Sequence, residues 1–176
     1  MALVIKGSTS GQVTIDVPAS AGTNTVTIPA NTGNIITSAS EVADLPSAPS
    51  FSATVSVAQT VSASTYTKVA YNSEAWDTDS KYDNSTYRFT PTVAGYYLFN
   101  LGVRCNSSTT NIVALYKNGV LWRRGVQSGQ QQTSLSILHV ADTDDYFEGF
   151  VFTTGTQVTV NDDDTYFQAV FVRNAS

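Results

Sequence analysis

Cysteine, histidine and charged residues are scarce in this chain of 176 residues, and each shortage argues against a kind of cross-link, metal site or partner. Cys105 is the only cysteine, so no intrachain disulfide can form and packing alone must hold the fold. His139 is the only histidine, which leaves no Cys/His cluster for zinc. The nine basic residues are scattered and the net charge is −5. Phosphate binding needs clustered Lys and Arg, so no nucleic-acid partner is expected.

Membrane-spanning and catalytic patterns are also missing. No stretch approaches the ~18 consecutive apolar residues of a membrane span, so no membrane insertion is expected. The N-terminus offers no export signal, which predicts a protein made in a cytoplasm. A nucleophilic triad would need His139 as its base, and the sequence has no Gly-x-Ser-x-Gly elbow. Because Cys105 is interpreted as a structural thiol, we expect no enzyme.

Threonine and serine supply the polarity that charged residues usually provide, with 24 and 20 residues respectively. Threonine favours strands, and apolar residues recur at every second position over long stretches. In the last of these, Phe167, Ala169 and Phe171 alternate with Gln168 and Val170. The pattern predicts an all-β domain of about nine strands over residues 51–173.

Turn residues separate the predicted strands. Asn118 and Gly119 lie between two apolar runs and predict a hairpin with a type I′ turn. Tyr87 and Phe89 are expected to share one face of a strand. Gly95 is expected to make a sharp turn, and Trp76 is placed in a polar loop.

An aromatic block in the middle of the chain resembles the centre of C1q-type domains. The matching residues are Tyr82, Asp83, Phe89, Pro91, Gly95, Tyr96, Tyr97 and Phe99, followed by Leu115, Lys117, Asn118 and Gly119. The resemblance implies a C1q/TNF-like antiparallel jelly-roll sandwich over residues 51–176, assembled as a homotrimer. The surplus of aromatic rings gives a trimer a physical basis, because one small sandwich hardly hides them all. The rings expected to be divided between core and trimer interface are Tyr97, Phe99, Phe150, Phe152, Phe167 and Phe171.

Residues 1–37 form a separate β-rich segment with too few apolar residues for a core of its own. Its sequence, GSTSGQVTI followed by AGTNTVTIPANTG, resembles a segment of bacteriophage tail-fibre and other virion appendage proteins. The resemblance implies a virion anchor that pairs with other structural proteins of the particle. Residues 38–50 are rich in Ser, Ala and Pro and predict a semi-rigid linker. The residues assigned to the anchor are Val13, Ile15, Val26 and Ile28.

Two groups of side chains are candidates for binding. Asp162, Asp163 and Asp164 are adjacent carboxylates, which either hold Ca²⁺ or form a solvated turn. Aromatic rings beside arginines suit a sugar or an anionic surface, although the same residues can protect a sheet edge. The residues of this second group, assigned to host-receptor contact, are Trp76, Trp122, Arg123 and Arg124.

Two hypotheses about function follow. The first is a structural protein of a bacteriophage virion, a short trimeric tail fibre or head fibre made in the host cytoplasm. Its N-terminus would anchor to the particle, and its exposed C1q-like knob would serve host attachment through a surface glycan or protein. The alternative is a free C1q-like binding module, secreted or cell-attached, with the N-terminal segment as a stalk.

Overall fold

The computed structural model describes residues 3–6, 10, 12–15, 48–106, 110–155, 157–158 and 164–175. The chain divides into two compact units, residues 1–40 and residues 41–176. The first unit contains an antiparallel pair of strands, β1 (Leu3–Lys6) and β2 (Gln12–Ile15). Of the predicted anchor residues, Val13 and Ile15 lie in β2, whereas Val26 and Ile28 lie outside the described residues.

The second unit consists of antiparallel strands, and its described residues contain no helix. No helix in the described part of the chain is therefore long and apolar enough to cross a membrane. In chain order the strands are β3 (Ser50–Thr54), β4 (Gln59–Thr60), β5 (Thr65–Lys68), β6 (Ser73–Asp77), β7 (Tyr82–Asp83), β8 (Arg88–Phe89), β9 (Gly95–Arg104), β10 (Asn111–Lys117), β11 (Val120–Arg124), β12 (Gln132–Ala141), β13 (Phe147–Thr153), β14 (Gln157–Val158) and β15 (Tyr166–Asn174).

Two sheets form a sandwich. Sheet I has five strands in the order β12-β9-β15-β3-β6. Sheet II has six strands in the order β11-β10-β13-β8-β7, with β5 also paired to β13. Strands β4 and β14 form a separate pair. Two-residue strands such as β7 and β8 raise the number of strands above the predicted nine, but the predicted all-β jelly-roll class is confirmed.

Alternation along β9 shows how the sequence divides each strand between core and surface. Tyr97, Phe99 and Leu101 are fully buried, whereas Leu98 and Asn100 between them are partly exposed. Successive side chains of a strand point to opposite faces, so one face of β9 joins the core and the other forms the outer face of sheet I. The strand predicted there is confirmed.

The core is built mainly from aromatic rings of both sheets. Phe51 of β3 stacks on Tyr82 of β7 at 4.7 Å and on Phe89 of β8 at 4.5 Å between ring centroids. Phe99 of β9 lies 4.5 Å from Phe147 of β13. Such ring pairs add specific attraction to the burial of large apolar surface, and here they join the two sheets.

The six aromatic residues predicted for core and interface fall into two sets. Tyr97, Phe99 and Phe167 are fully buried in the core, and Phe171 is partly buried against it. The other two, Phe150 and Phe152, occupy alternate positions of β13 with the buried Val151 between them, so they lie on the outer face of sheet II.

The predicted hairpin is confirmed in detail. Asn118 has φ 53° and Gly119 has φ 75°, the positive values that a type I′ turn requires at both central positions. The side-chain Nδ2 of Asn118 donates a hydrogen bond to Asp145 Oδ1 at 2.9 Å, which fixes the turn against the neighbouring loop. The turn connects β10 to β11.

The predicted strand through Tyr87 is wrong. Tyr87 lies in a turn with φ 56°, because Asp83 organises the preceding residues. The Asp83 carboxylate accepts hydrogen bonds from the backbone N–H and hydroxyl groups of Ser85 and Thr86. These bonds hold the pKa of Asp83 well below its usual range. Local side-chain bonding of this kind competes with strand pairing.

Two further expectations are also wrong. Gly95 does not make a turn but begins β9, where an added Cβ would lie 2.5 Å from the Arg173 carbonyl oxygen. Glycine is needed there because the backbone of β15 approaches closely. Trp76 does not lie in a loop but in β6, the edge strand of sheet I, with its side chain 50% exposed.

Candidate functional site

The outer face of sheet I carries an aliphatic patch across three strands. Leu98 of β9 lies directly opposite Leu138 of β12 on one side and Val170 of β15 on the other. Leu138 is 56% exposed and Val170 is 40% exposed. Val140, two residues further along β12 and therefore on the same face, is also exposed. Contiguous exposed apolar patches occur at protein–protein and membrane interaction sites and in ligand-binding grooves. We call these four residues the sheet I patch.

The open edge of the sandwich lies where β11 of sheet II meets β12 of sheet I. The Trp122 ring lies 4.8 Å from the His139 ring, and the Arg123 guanidinium covers Trp122 at 4.4 Å. Trp122 Nε1 and His139 Nε2 are both buried without a hydrogen-bond partner among the described residues. Burial, followed by the nearby charge of Lys117, lowers the pKa of His139, so its imidazole is neutral at pH 7.

A buried carboxylate ties the strands of sheet II together. Glu148 of β13 accepts charge-assisted bonds from Lys68 Nζ and Arg88 Nε, each at 2.8 Å. The Glu148 side chain is only 4% exposed, whereas its partners remain one-third or more exposed. The Arg88 guanidinium also covers the Tyr146 ring at 4.1 Å. Both cations are therefore engaged in the fold, and we assign this cluster a structural role.

An open cleft of about 400 Å³ lies on the outer face of sheet II. Across its floor, Phe152 of β13 lies opposite Ile112 of β10 on one side and Tyr66 of β5 on the other. The Tyr66 hydroxyl is buried without a hydrogen-bond partner in the described part of the chain. The lining includes Tyr66, Thr110, Ile112, Arg124, Gln127 and Phe152. We call this feature the sheet II cleft.

The residues predicted for receptor contact do not form one group. Trp122, Arg123 and Arg124 lie together on β11, at the edge of sheet II. Trp76 lies on β6, at the edge of sheet I opposite β12, and so does not join them. Among the four, only Arg124 lines the sheet II cleft. Sequence reasoning missed the cleft residues Tyr66 and Gln127, because the register that brings β5, β13 and β10 together has no local signature.

The predicted calcium ligands fall only partly within the described residues. Asp162 and Asp163 lie outside them. The Asp164 carboxylate accepts hydrogen bonds from Arg104 Nη1 at 3.0 Å and Gln132 Nε2 at 2.6 Å. No group of three metal-ligating side chains occurs among the residues that the structure describes. A cation at Asp164 would have to compete with the Arg104 guanidinium, and calcium binding stays a prediction.

The only thiol and the only imidazole cannot act together. His139 lies opposite Tyr97 in the β9–β12 register, and Cys105 follows Tyr97 by eight residues. At ~3.3 Å per residue, Cys105 is about 26 Å further along the sheet. Burial raises the pKa of the Cys105 thiol, with a hydrogen bond to Thr153 as a smaller opposing effect. A buried thiol with a raised pKa is a poor nucleophile.

The order and pairing of the strands define the jelly roll of C1q and TNF proteins, and solved structures share it. A TNF-like protein, Eiger from S. frugiperda, has 13% identity and a TM-score of 0.58, covering 74% of this chain and 94% of that one. Murine APRIL has 10% identity and a TM-score of 0.58, covering 71% and 99%. The globular domain of zebrafish complement 1qA has 14% identity and a TM-score of 0.55, covering 73% and 99%.

The family itself is shown by sequence. Residues 50–144 match the C1q domain, so this chain belongs to the C1q domain family. No curated protein sequence matches the chain. Domains of the C1q/TNF type are generally non-enzymatic binding or structural modules, and trimeric assembly is typical of the family.

Proposed function

We propose that this chain is a trimeric binding and structural module whose subunits associate through the sheet I patch. The supporting observation is the cross-strand row in which the partly exposed Leu98 lies between the exposed Leu138 and Val170, on the surface of a chain with few charges. Water-exposed apolar area of this kind favours association. Trimeric assembly is typical of the family, and the occupant of the patch is therefore a second copy of this chain.

A threefold ring needs two different surfaces on each subunit, because its contacts are heterologous. The second surface in this proposal is the open edge at β11 and β12. There Val120 is 67% exposed, and Trp122 and His139 each have a buried ring nitrogen without a partner in the described residues. A neighbouring subunit would cover this valine and remove its apolar surface from water.

Light scattering on the purified chain at micromolar concentration tests the trimer. The wild-type protein is expected to have the mass of three chains. Leu138→Glu places a charge within the patch and is expected to give monomers, since burying an unpaired carboxylate is strongly unfavourable. Val57→Glu is the matched control, because Val57 is 66% exposed but lies outside the patch. A monomeric wild type, or equal behaviour of both variants, would contradict the proposal.

We further propose that the module is part of a bacteriophage virion, as a short tail or head fibre. The support is the resemblance of residues 6–37 to virion appendage proteins, together with the division of the chain into two units. In this proposal the first unit anchors to other virion proteins through Val13, Ile15, Val26 and Ile28. The second unit is the exposed knob, whose surface contacts the host.

Electron microscopy of particles carrying the labelled protein tests the anchor. A truncated chain that begins at Ala48 keeps the Pro49 carbonyl, which accepts a hydrogen bond from the Phe171 amide at 2.8 Å. This knob is expected to stay trimeric and to melt cooperatively, yet not to join particles. Full-length protein with all four anchor residues changed to Ser is expected to show the same loss. Normal incorporation of the truncated knob would place attachment in the jelly roll instead.

The second candidate is a free C1q-like binding module outside any virion, and the family assignment is equally consistent with it. The two candidates differ in what residues 1–37 do. In a free module, removing them leaves binding and trimer formation unchanged and no particle contains the chain. Antibody detection of the protein in purified particles separates the candidates, because only a virion protein remains after extensive washing.

A further inference from the structure

The sheet II cleft combines an apolar floor with polar groups at its border, and this combination points to a class of ligand. Ile112, Phe152 and Tyr66 form a continuous cross-strand row, with the Phe152 and Tyr66 rings 5.4 Å apart. All three are partly exposed. Aromatic and aliphatic side chains in such a row offer a surface against which the C–H face of a ring-shaped ligand packs. The volume of about 400 Å³ falls in the range of small-ligand sites.

Arg124 supplies a cation at the border of the cleft. It takes part in none of the four ion pairs that the described residues form. The neighbouring Arg123 is engaged, because its guanidinium covers Trp122 at 4.4 Å and donates to the Trp122 carbonyl at 2.9 Å. A guanidinium presents paired donors whose spacing matches a carboxylate, so Arg124 selects for a ligand with that group.

Neutral polar groups complete the lining. Gln127 contributes an amide, and Thr110 contributes a hydroxyl. Tyr66 adds a hydroxyl that is buried without a hydrogen-bond partner in the described residues. The Gln127 amide and the Thr110 hydroxyl can both form hydrogen bonds with oxygen atoms of a ligand in the cleft. The ligand therefore carries several hydroxyl groups in addition to its carboxylate.

Other ligand classes fit these groups less well. Nucleic acid needs several clustered cations, whereas the net charge of the chain is −5 and, among the described residues, Arg124 is the one cation that lines the cleft. A fatty acid would leave the Gln127 amide and the Thr110 hydroxyl unpaired, and a neutral sugar would leave the Arg124 guanidinium without its carboxylate. A sugar with a carboxylate matches the floor, the cation and the polar border together.

We propose that the sheet II cleft binds an acidic saccharide, a hexuronic or sialic acid residue of a glycan. The proposal rests on the part of the proposed function that exposes the knob to a host surface, and it names the chemistry recognised there. Arg124 binds the carboxylate, Phe152 and Ile112 contact the C–H face of the sugar ring, and Gln127 contacts its hydroxyl groups.

Saturation-transfer NMR on the full-length protein tests the ligand class, with sialyllactose and trigalacturonate as acidic probes and lactose as the neutral control. Signal transfer is expected to at least one acidic probe, with a dissociation constant below about 10 mM, and to be much weaker for lactose. Transfer to neither acidic probe, or equal transfer to lactose, would overturn the proposal.

Matched arginine variants test the site. Arg124→Gln is expected to weaken acidic-probe binding by about tenfold or more, since it removes the charge-assisted pair, and Arg124→Lys is expected to be intermediate. Arg123→Gln, one residue away and outside the cleft lining, is expected to leave binding within about twofold of wild type. Both side chains are exposed, so neither substitution is expected to disturb the fold. An unchanged melting temperature of each variant checks this.

Equal loss in Arg124→Gln and Arg123→Gln, or no loss in either, would overturn the assignment of the cleft. The outcome is separable from the proposed function as a whole. Protein that forms trimers and joins particles but binds no acidic probe contradicts only the saccharide proposal. Protein that binds the probe but joins no particle contradicts only the virion proposal.

Discussion

The outer faces of the two sheets differ in chemistry, although both sheets close over the same core. Sheet I presents aliphatic side chains, with Leu138 and Val170 on either side of Leu98. Sheet II presents aromatic rings, with Phe150 stacked on Tyr116 at 3.8 Å, and charged side chains around Glu148. Aliphatic surface suits a permanent contact between subunits, whereas rings with polar neighbours suit a surface that stays wet and exchanges ligands.

This contrast assigns separate roles to the two faces. In the proposed trimer, the outer face of sheet I and the β11–β12 edge would contact neighbouring subunits. The rest of the outer face of sheet II, with its cleft, would then face the medium. The following predictions test the contrast in turn, first in the core that both sheets share, then within sheet II, then at the edge between the sheets and last at the end of sheet I.

Phe99→Ala is expected to produce the largest loss of stability, about 3–5 kcal/mol in the free energy of unfolding. Its ring is fully buried and touches Phe147 of sheet II and Phe167 of sheet I, so the cavity weakens both sheets together. Phe150→Ala, on the outer face of sheet II, is expected to cost less than half as much. Urea unfolding measures both, and equal losses would contradict the assignment of Phe99 to the shared core.

Glu148→Gln is expected to cost about 2–4 kcal/mol, because it leaves two cations around a buried position without their common carboxylate. The loss lies toward the lower value, since Lys68 and Arg88 are 33% and 40% exposed and regain some hydration. Lys117→Gln is the comparison within the same sheet, where one cation pairs with Asp145 at 2.8 Å. A smaller effect of Glu148→Gln than of Lys117→Gln in chemical denaturation would show that the Glu148 cluster does not stabilise sheet II.

His139→Gln is expected to reduce the dependence of stability on pH. The pKa of His139 in the folded protein is lowered from its ordinary value of 6.5, so the unfolded chain binds the proton more readily. Stability therefore falls as the pH drops below about 6.5, by at most about 1.4 kcal/mol per pH unit for this one group. Melting temperatures between pH 7.5 and about 5 measure the difference. If the melting temperatures of wild type and variant change in parallel with pH, His139 has the same pKa in the folded and the unfolded chain.

Sequence reasoning succeeded where a local pattern determines the structure. The alternation in β9 and β15 and the Asn118–Gly119 turn are examples, because period two and positive φ are properties of neighbouring residues. It failed at Tyr87, where Asp83 bonds to the following residues and replaces a strand by a turn. It also failed at Gly95, whose role depends on the approach of Arg173 from a distant strand.

The candidate sites were less accessible to prediction for the same reason. Arg124 was identified from its neighbours in the sequence, but its partners Phe152 and Tyr66 join it only through the register of β5, β13 and β10. The sheet I patch likewise depends on Leu138 and Val170 meeting Leu98 from strands far apart in the chain. A surface formed by three strands has no signature in any one of them.

The smallest expected effect concerns Asp164, at the end of sheet I. Its carboxylate already has Arg104 as a cationic partner at 3.0 Å, and both side chains are partly exposed. Asp164→Asn is therefore expected to cost less than about 1 kcal/mol. If the pair alone neutralises the carboxylate, EDTA leaves the melting temperature of the wild type unchanged. If Asp162, Asp163 and Asp164 instead hold Ca²⁺, the other interpretation of the sequence, EDTA lowers the melting temperature by more than Asp164→Asn does, because the ion would bind only the folded chain. Asp163→Asn then removes the EDTA effect, and a persisting effect would place the ion elsewhere.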